Sequence, residues 1–222
     1  TKDIPGTMTR EEPSNTLSVF LARAAEAHPD RPALTDAEGR TFTYKELAAL
    51  CSSMAAALSG RVQCGDHVGL AARNSAEAVA AYFAVSMAGG VVVWLNPAQE
   101  PSMLAAIAAD AELKWLILEP AFAADRAQKI LPGKHLSFSD LSGSAGHLAG
   151  RPAIPPAGRP GSCRSDALAA IVYTSGSTDR PLGVMLSHRN LLSNAAAVAA
   201  YLKLTPQDRA HCVLPFFYIY GL

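Results

Sequence analysis

Residues 171–188 read Ile-Val-Tyr-Thr-Ser-Gly-Ser-Thr-Asp-Arg-Pro-Leu-Gly-Val-Met-Leu-Ser-His, and this stretch decides the fold of the chain. The apolar run from Ala167 to Tyr173 predicts a strand, which breaks into a loop of hydroxyl-bearing and glycine residues. Four loop hydroxyls and several unhindered backbone N–H groups can converge there, and Gly176 lets the backbone approach a ligand closely. The pattern therefore indicates a strand that delivers a phosphate-binding loop.

Composition limits the class of protein. Half of the 222 residues are apolar, 17% are charged and the formal net charge is zero, so the chain can bury a core and offers no surface for nucleic acid. The N-terminal tail 1–13 is polar and has no apolar stretch typical of a secretory signal. The cysteines lack metal-site spacing and indicate reduced thiols in a cytoplasmic protein: Cys51, Cys64, Cys163 and Cys212.

Strand and helix patterns alternate along the chain. Strands are predicted at Arg31–Thr35, Asp66–Ala71, Val91–Leu95, Trp115–Leu118, Ala167–Tyr173 and His211–Leu214. Helices are predicted at Thr16–Ala27 with Asn15 as cap, Lys45–Leu58, a segment from an Asn74 cap to Ala88, Ser102–Ala111 and Asn190–Leu202. This order predicts an α/β fold with a mostly parallel sheet flanked by helices in layers.

Two segments need separate interpretation. Ala78–Gln99 carries no charge and is long enough to span a bilayer, but Gly89-Gly90 divides it and Asn96-Pro97 ends it, so we predict a buried helix and a buried strand instead. The stretch from about 133 to 165 is rich in Gly, Ser and Pro and predicts a long flexible excursion.

Three ordered blocks resemble the opening motifs of adenylate-forming enzymes. They are Thr43-Tyr44-Lys45-Glu46-Leu47, Met87-Ala88-Gly89-Gly90 running to Asn96-Pro97, and Tyr173-Thr174-Ser175-Gly176-Ser177-Thr178 with Pro181, Gly183 and Val184. The tail 214–222 resembles the next block. The family comprises acyl- and aryl-CoA ligases, peptide-synthetase adenylation domains and luciferases, and the resemblance covers residues 14–222.

The resemblance implies a reaction and a set of site residues. Such enzymes activate a carboxylate with ATP and Mg²⁺, release pyrophosphate, and then commonly pass the acyl group to CoA or to the phosphopantetheine of a carrier protein. The implied phosphate loop comprises Thr174, Ser175, Gly176, Ser177, Thr178, Asp179, Arg180 and Gly183. The implied carboxylate pocket includes Phe217, Tyr218 and Gly221.

The phosphate loop departs from the family pattern at two positions. The family usually has glycine where Asp179 stands and lysine where Leu182 stands. A unit charge about 4 Å from a phosphate oxygen is worth about 4 kcal/mol at an effective dielectric constant of 20, before screening by solvent and Mg²⁺. Both changes predict weaker binding of a polyanion, and Arg180 restores part of the lost positive charge.

Other positions leave alternatives open. Tyr218 replaces the usual histidine of the family, which indicates either a different acyl substrate or simple packing. Asn96-Pro97 resembles the CoA-ligase branch more than the peptide-synthetase branch. Ser187 predicts a helix cap, and His188 beside it could face the nucleotide or serve the structure alone.

The chain is shorter than the enzymes that it resembles. Family enzymes are about twice as long, so we expect residues 14–222 to be an incomplete N-terminal domain that lacks the C-terminal cap domain and is inactive alone. We also expect surface uncovered by the missing part to drive self-association. The alternatives are a non-catalytic homologue with a degenerate phosphate loop that acts as a binding or regulatory module, and an amino-acid adenylation domain.

Overall fold

A computed structural model describes residues 15–122, 124–142, 164–174 and 181–218. The helices are α1 (Leu17–Ala27), α2 (Tyr44–Leu58), α3 (Ala76–Met87), α4 (Pro101–Asp110), α5 (Ala124–Ile130), α6 (Phe138–Ser142) and α7 (His188–Tyr201). The strands are β1 (Pro32–Thr35), β2 (Thr41–Thr43), β3 (His67–Ala71), β4 (Val91–Leu95), β5 (Trp115–Leu118), β6 (His135–Ser137), β7 (Leu168–Thr174) and β8 (Leu182–Ser187). The N-terminal tail 1–13 and Cys163 lie outside the described residues.

The main sheet confirms the predicted fold class. Its strand order is β6-β5-β3-β4-β7-β8, and every neighbouring pair is parallel except β7 and β8, which are antiparallel. Strands β1 and β2 form a separate antiparallel hairpin, and Gly39 in its turn has a φ of 80°, which suits glycine. The fold is therefore α/β with a mostly parallel sheet.

Helices cover both faces of this sheet. Helices α1, α2, α3 and α6 pack on what we call the first face, together with Val68, Val92 and Trp94, whereas α4 and α5 pack on the second face with Val91 and Val93. Successive strand residues point to opposite faces, so an uninterrupted apolar strand such as β4 serves both cores. This explains why β4 has no polar position.

Helix starts follow the capping rules, with two corrections. Thr43 and Glu46 form a complete capping box at the start of α2. The cap of α1 is Thr16 rather than Asn15, and the cap of α3 is Ser75, whose hydroxyl accepts the Ala78 N–H, rather than Asn74. A cap must directly precede the first helical residue for its side chain to reach the N2 or N3 amide, and α1 and α3 each begin one residue later than predicted.

Three further points of the predicted secondary structure need correction. The excursion predicted from about 133 contains β6 and α6 before residue 143, because Leu136, Phe138 and Leu141 reach the first core; residues 143–163 lie outside the described part. Residues 182–187, which the pattern did not predict as a strand, form β8 on β7. Residues 211–214, predicted as a strand, have no regular structure, because no described strand pairs with them.

The uncharged segment from Ala78 is the predicted helix and strand. It contains most of α3 and all of β4, and both are buried against neighbouring elements of the fold. Within the described residues, no helix combines the length and apolarity that crossing a membrane requires.

Candidate active site at the carboxyl edge of the sheet

We place the candidate site at the carboxyl ends of β3 and β4. The chain leaves β3 toward α3 on the first face, whereas it leaves β4 toward α4 on the second face. The edge where adjacent parallel strands send their connections to opposite faces of the sheet is where α/β proteins commonly bind ligands, and we call this place the crevice. The crevice therefore defines the candidate site.

The hairpin of β7 and β8 opens at the same edge. Trp94 of β4 pairs with Val172 of β7, so Thr174 lies two residues, about 7 Å, further along the strand. Thr174 pairs with Leu182 across the hairpin, and its hydroxyl donates to the Leu182 carbonyl over 3.5 Å. The predicted phosphate loop thus starts and ends at the carboxyl edge, while its residues 175–180 lie outside the described part of the chain.

Gly183 has a packing reason to be glycine. It lies in β8 opposite Tyr173, and a Cβ atom there would lie 3.0 Å from Ile171 Cγ2 and 3.2 Å from Tyr173 Cζ. The absent side chain makes room for the Tyr173 ring. The Tyr173 hydroxyl in turn donates to Asp110 Oδ2 at 2.5 Å, and burial together with this carboxylate raises the pKa of the tyrosine. These contacts attach the loop end of the hairpin to the last residue of α4.

An aromatic cluster lines the first-face side of the crevice. Trp94 is 2% exposed, and its ring centroid lies 5.5 Å from that of Tyr82 and 5.6 Å from that of Phe216. Phe217 also packs against the first core, and its ring is 4.9 Å from that of Tyr218, which is 53% exposed. The structure thus brings two of the three predicted pocket residues to this wall, and Gly221 lies outside the described residues.

Asn74 holds the segment that carries these aromatic rings. Its side-chain Nδ2 donates to the Leu214 carbonyl at 2.8 Å, and its Oδ1 accepts the Phe216 N–H at 2.9 Å. One amide side chain therefore satisfies a backbone acceptor and a backbone donor two residues apart, as a neighbouring strand would.

Few charges lie among the described residues of this edge. Arg73 forms an ion pair with Glu119, with Nε 3.2 Å from Oε1, and its backbone N–H also donates to Glu119. Leu182 is 60% exposed and adds no charge at the end of the hairpin. No three His, Cys, Asp or Glu side chains converge to hold a metal ion in the part of the chain that the structure describes.

His188 is a structural residue rather than a nucleotide contact. It is 1% exposed, and its Nδ1 accepts the backbone N–H of Leu17 at 3.3 Å. Burial lowers its pKa to about 4, and an N–H donor facing Nδ1 requires a neutral ring. Ser187 caps α7 as predicted, in a capping box with Asn190.

Sequence reasoning missed the two residues that organise the crevice. The sequence pattern predicts Asn74 as a helix cap, although Ser75 beside it is an equally good cap, and it gives Trp94 no role beyond its strand. The available signal was position: both residues lie at or just after the carboxyl ends of parallel strands, where ligand-contacting residues gather.

Comparison with known proteins identifies the family. A family model described as "AMP-binding enzyme" matches residues 21–222. The chain is 34% identical to 4-coumarate–CoA ligase 5 of Oryza sativa subsp. japonica over 208 residues, which cover 87% of this chain and 37% of the ligase. The chain therefore belongs to the AMP-binding, adenylate-forming family, as its ordered motifs predicted.

Solved structures of similar fold support the same assignment. O-succinylbenzoate CoA synthetase (MenE) of Bacillus subtilis, in complex with the acyl-adenylate intermediate OSB-AMP, has a TM-score of 0.79 at 28% identity, covering 96% of this chain and 52% of that one. VinN in complex with L-aspartate has a TM-score of 0.81 at 28% identity, covering 96% and 59%. The chain spans about half the length of these proteins, and its fold is that of their N-terminal region.

Proposed function

We propose that this chain is part of a carboxylate-activating ligase that forms an acyl-adenylate from ATP. The observation that carries the proposal is the β7–β8 hairpin, which opens at the carboxyl edge beside the aromatic crevice in a chain of the adenylate-forming family. The hairpin supplies the segment from Thr174 to Gly183 for the phosphates. Phe217, Tyr218 and Gly221 are the proposed wall of the carboxylate pocket.

The proposed reaction has two steps. A carboxylate oxygen of the substrate attacks the α-phosphorus of ATP, the bond from that phosphorus to the bridging oxygen breaks, and pyrophosphate leaves. The hydroxyls and amides of the loop would stabilise the charge that develops on pyrophosphate. A thiol, of CoA or of a carrier protein's phosphopantetheine, then displaces AMP to give a thioester.

We expect Mg²⁺ to bind together with the phosphates of the nucleotide. Mg²⁺ is commonly bound through one or two carboxylates together with substrate phosphates, so it does not require a preformed cluster of protein ligands. When bound, it would neutralise phosphate charge.

The substrate class rests on the relatives. The rice relative is named as a CoA ligase and MenE is bound to an acyl-adenylate, which supports an acyl or aryl acid with CoA as acceptor. VinN bound to L-aspartate favours an amino acid as a second candidate. The non-catalytic alternative draws support from Leu182, which leaves the described end of the hairpin uncharged.

A pyrophosphate-release assay with Mg-ATP and a panel of carboxylic and amino acids tests the proposal. We expect release by a longer polypeptide that contains this chain, since its relatives are about two to three times as long. No release with any acid from that polypeptide would contradict the enzyme and favour the binding module.

The same polypeptides test the charge of the loop. We expect Asp179→Gly combined with Leu182→Lys to tighten ATP binding about tenfold, measured by calorimetry, with a smaller gain at high salt. Leu182→Gln is the matched control, because it adds polarity without charge and should leave the affinity unchanged. Equal affinity of the double variant and the wild type would show that these two positions do not limit ATP binding.

A further inference from the structure

We infer that Asn74 is a positioning residue that holds residues 214–216 against the crevice and so sets the place of the Phe216 ring in the carboxylate pocket. The part concerning the pocket rests on the proposed function. The part concerning the fold rests on contacts in this structure alone.

The geometry of the Asn74 amide is specific. It bonds two backbone groups of the segment, the Leu214 carbonyl at 2.8 Å and the Phe216 N–H at 2.9 Å, and its Nδ2 also donates to Cys212 Sγ at 3.7 Å. An aspartate of the same shape would keep the acceptor for Phe216 but lose the donor for Leu214. The amide is therefore the side chain that fits both groups at this separation.

Asn74 does not cap helix α3, so helix capping does not explain its hydrogen bonds to the segment. The capping of α3 is done by Ser75, whose hydroxyl accepts from the Ala78 N–H at 3.1 Å. The segment it holds forms no strand with the sheet. Its attachment therefore depends on Asn74 and on the packing of Phe216 and Phe217 against the first core.

The consequence for the site follows from the aromatic contacts. The Phe216 backbone is fixed through its N–H, and its ring meets Trp94, which lies in β4 beside the crevice. If the hydrogen bonds of the Asn74 side chain are lost, the Phe216 ring is free to leave Trp94. The pocket wall then loses its shape. The nucleotide end of the site begins on a different strand, at Thr174 of β7, and should be affected little.

Hydrogen exchange in the chain itself tests the positioning role. In Asn74→Ala we expect the Phe216 amide to exchange at least about fivefold faster than in the wild type, while the Val172 amide in β7 is unchanged. Asn190→Asp is the matched control: Asn190 Oδ1 only accepts bonds, from Ser187, so this change should leave the Phe216 amide as it is.

Tryptophan fluorescence gives a second readout. In a Trp115→Phe background, Trp94 is the remaining indole, and Asn74→Ala should shift its emission to longer wavelength as Phe216 leaves and water enters. If Asn74→Ala fails to fold, Asn74→Leu, which nearly keeps the size of the side chain and removes its bonds to both Leu214 and Phe216, is measured in its place. Wild-type exchange at Phe216 in each variant that folds would overturn the proposal.

Steady-state kinetics separate positioning from catalysis. Where the wild-type polypeptide releases pyrophosphate, Asn74→Ala should raise the KM for the carboxylic acid about tenfold and change the KM for ATP by less than about twofold. Equal changes in both KM values would overturn a role confined to the acid pocket. No activity in any wild-type polypeptide that contains the chain, longer ones included, would instead refute the proposed function, and the exchange experiment would still decide whether Asn74 positions the segment.

Discussion

Helices α3 and α7 have similar alanine-rich sequences and opposite surroundings. Seven of the 12 residues of α3 are buried, whereas only His188 is buried among the 14 residues of α7, all of which the structure describes. Helix α3 crosses the first face between two central strands. Helix α7 follows β8, the last strand of the described sheet, and contacts mainly β7 and β8.

The difference teaches that apolar composition alone does not decide burial. Both helices carry enough Ala and Val to enter a core, but only α3 has a sheet face and two helices, α1 and α2, to pack against. Helix α7 is attached by its first turn, where His188 accepts the Leu17 N–H. Substitutions in the core of the fold should therefore lower the free energy of unfolding far more than substitutions in α7 after its first residue.

The largest expected effect is at that first residue, and it depends on pH. The folded-state pKa of His188, about 4, lies below the ordinary value of about 6.5, so the unfolded state binds more protons between these pH values and stability falls as the pH falls. Relative to His188→Asn, which keeps an acceptor for Leu17 but does not titrate, the wild type should lose about 3 kcal/mol of unfolding free energy from pH 7 to 4.

Urea denaturation at several pH values measures this difference. His211→Asn, at an exposed position, is the control and should keep the wild-type dependence on pH. Parallel pH profiles for the wild type and His188→Asn would show that the neutral ring does not anchor α7.

A matched pair of valines tests the comparison in the middle of the two helices. Val85 in α3 is fully buried and Val198 in α7 is 43% exposed. Val85→Ala should lower the free energy of unfolding by about 2 kcal/mol, because it removes two buried methyl groups and leaves a cavity. Val198→Ala should change it by less than about 0.5 kcal/mol.

Thermal and urea denaturation of the two variants supply the measurement. Each substitution removes the same atoms from a helix, so the difference in propensity between Val and Ala cancels in the comparison. Equal losses in both variants would mean that the outer face of α7 is covered in solution.

The smallest expected effect concerns self-association of the exposed surface. Met185 of β8, Tyr201 of α7 and Leu202 just after α7 are all more than half exposed, and β8 ends the described sheet. We expect the chain to associate through this surface, with a mass by light scattering that rises with concentration above 23.2 kDa. Met185→Lys should weaken the association about tenfold, a change of about 1.4 kcal/mol.

Met103→Lys is the matched control for this measurement. Met103 is exposed on α4, which covers the second face of the sheet, and its replacement should leave the association unchanged. A monomer mass at every concentration of the wild type would refute the association.

The central elements of the fold could be predicted because their patterns are local. β4 is a continuous apolar run that ends at Asn96-Pro97, and α2 starts with a capping box, so both follow from neighbouring residues. The parallel pairing of β3 with β4 agrees with the predicted mostly parallel sheet.

The errors lie where a distant partner decides the structure. Residues 182–187 form a strand because β7 is beside them, while residues 211–214 do not, because no described strand is available. Likewise α6 forms in a Gly- and Ser-rich stretch because Phe138 and Leu141 fill a space next to α2.

The sequence by itself determined the family, the α/β class and the buried strand that became β7. These depend on residue order and spacing, which a single chain displays in full. Only the tertiary structure decided that Asn74 binds the segment before Phe216, that Gly183 makes room for Tyr173, and that His188 is buried against α1. The pairs 74–216 and 17–188 are more than 140 residues apart in the sequence, and packing alone brings them into contact.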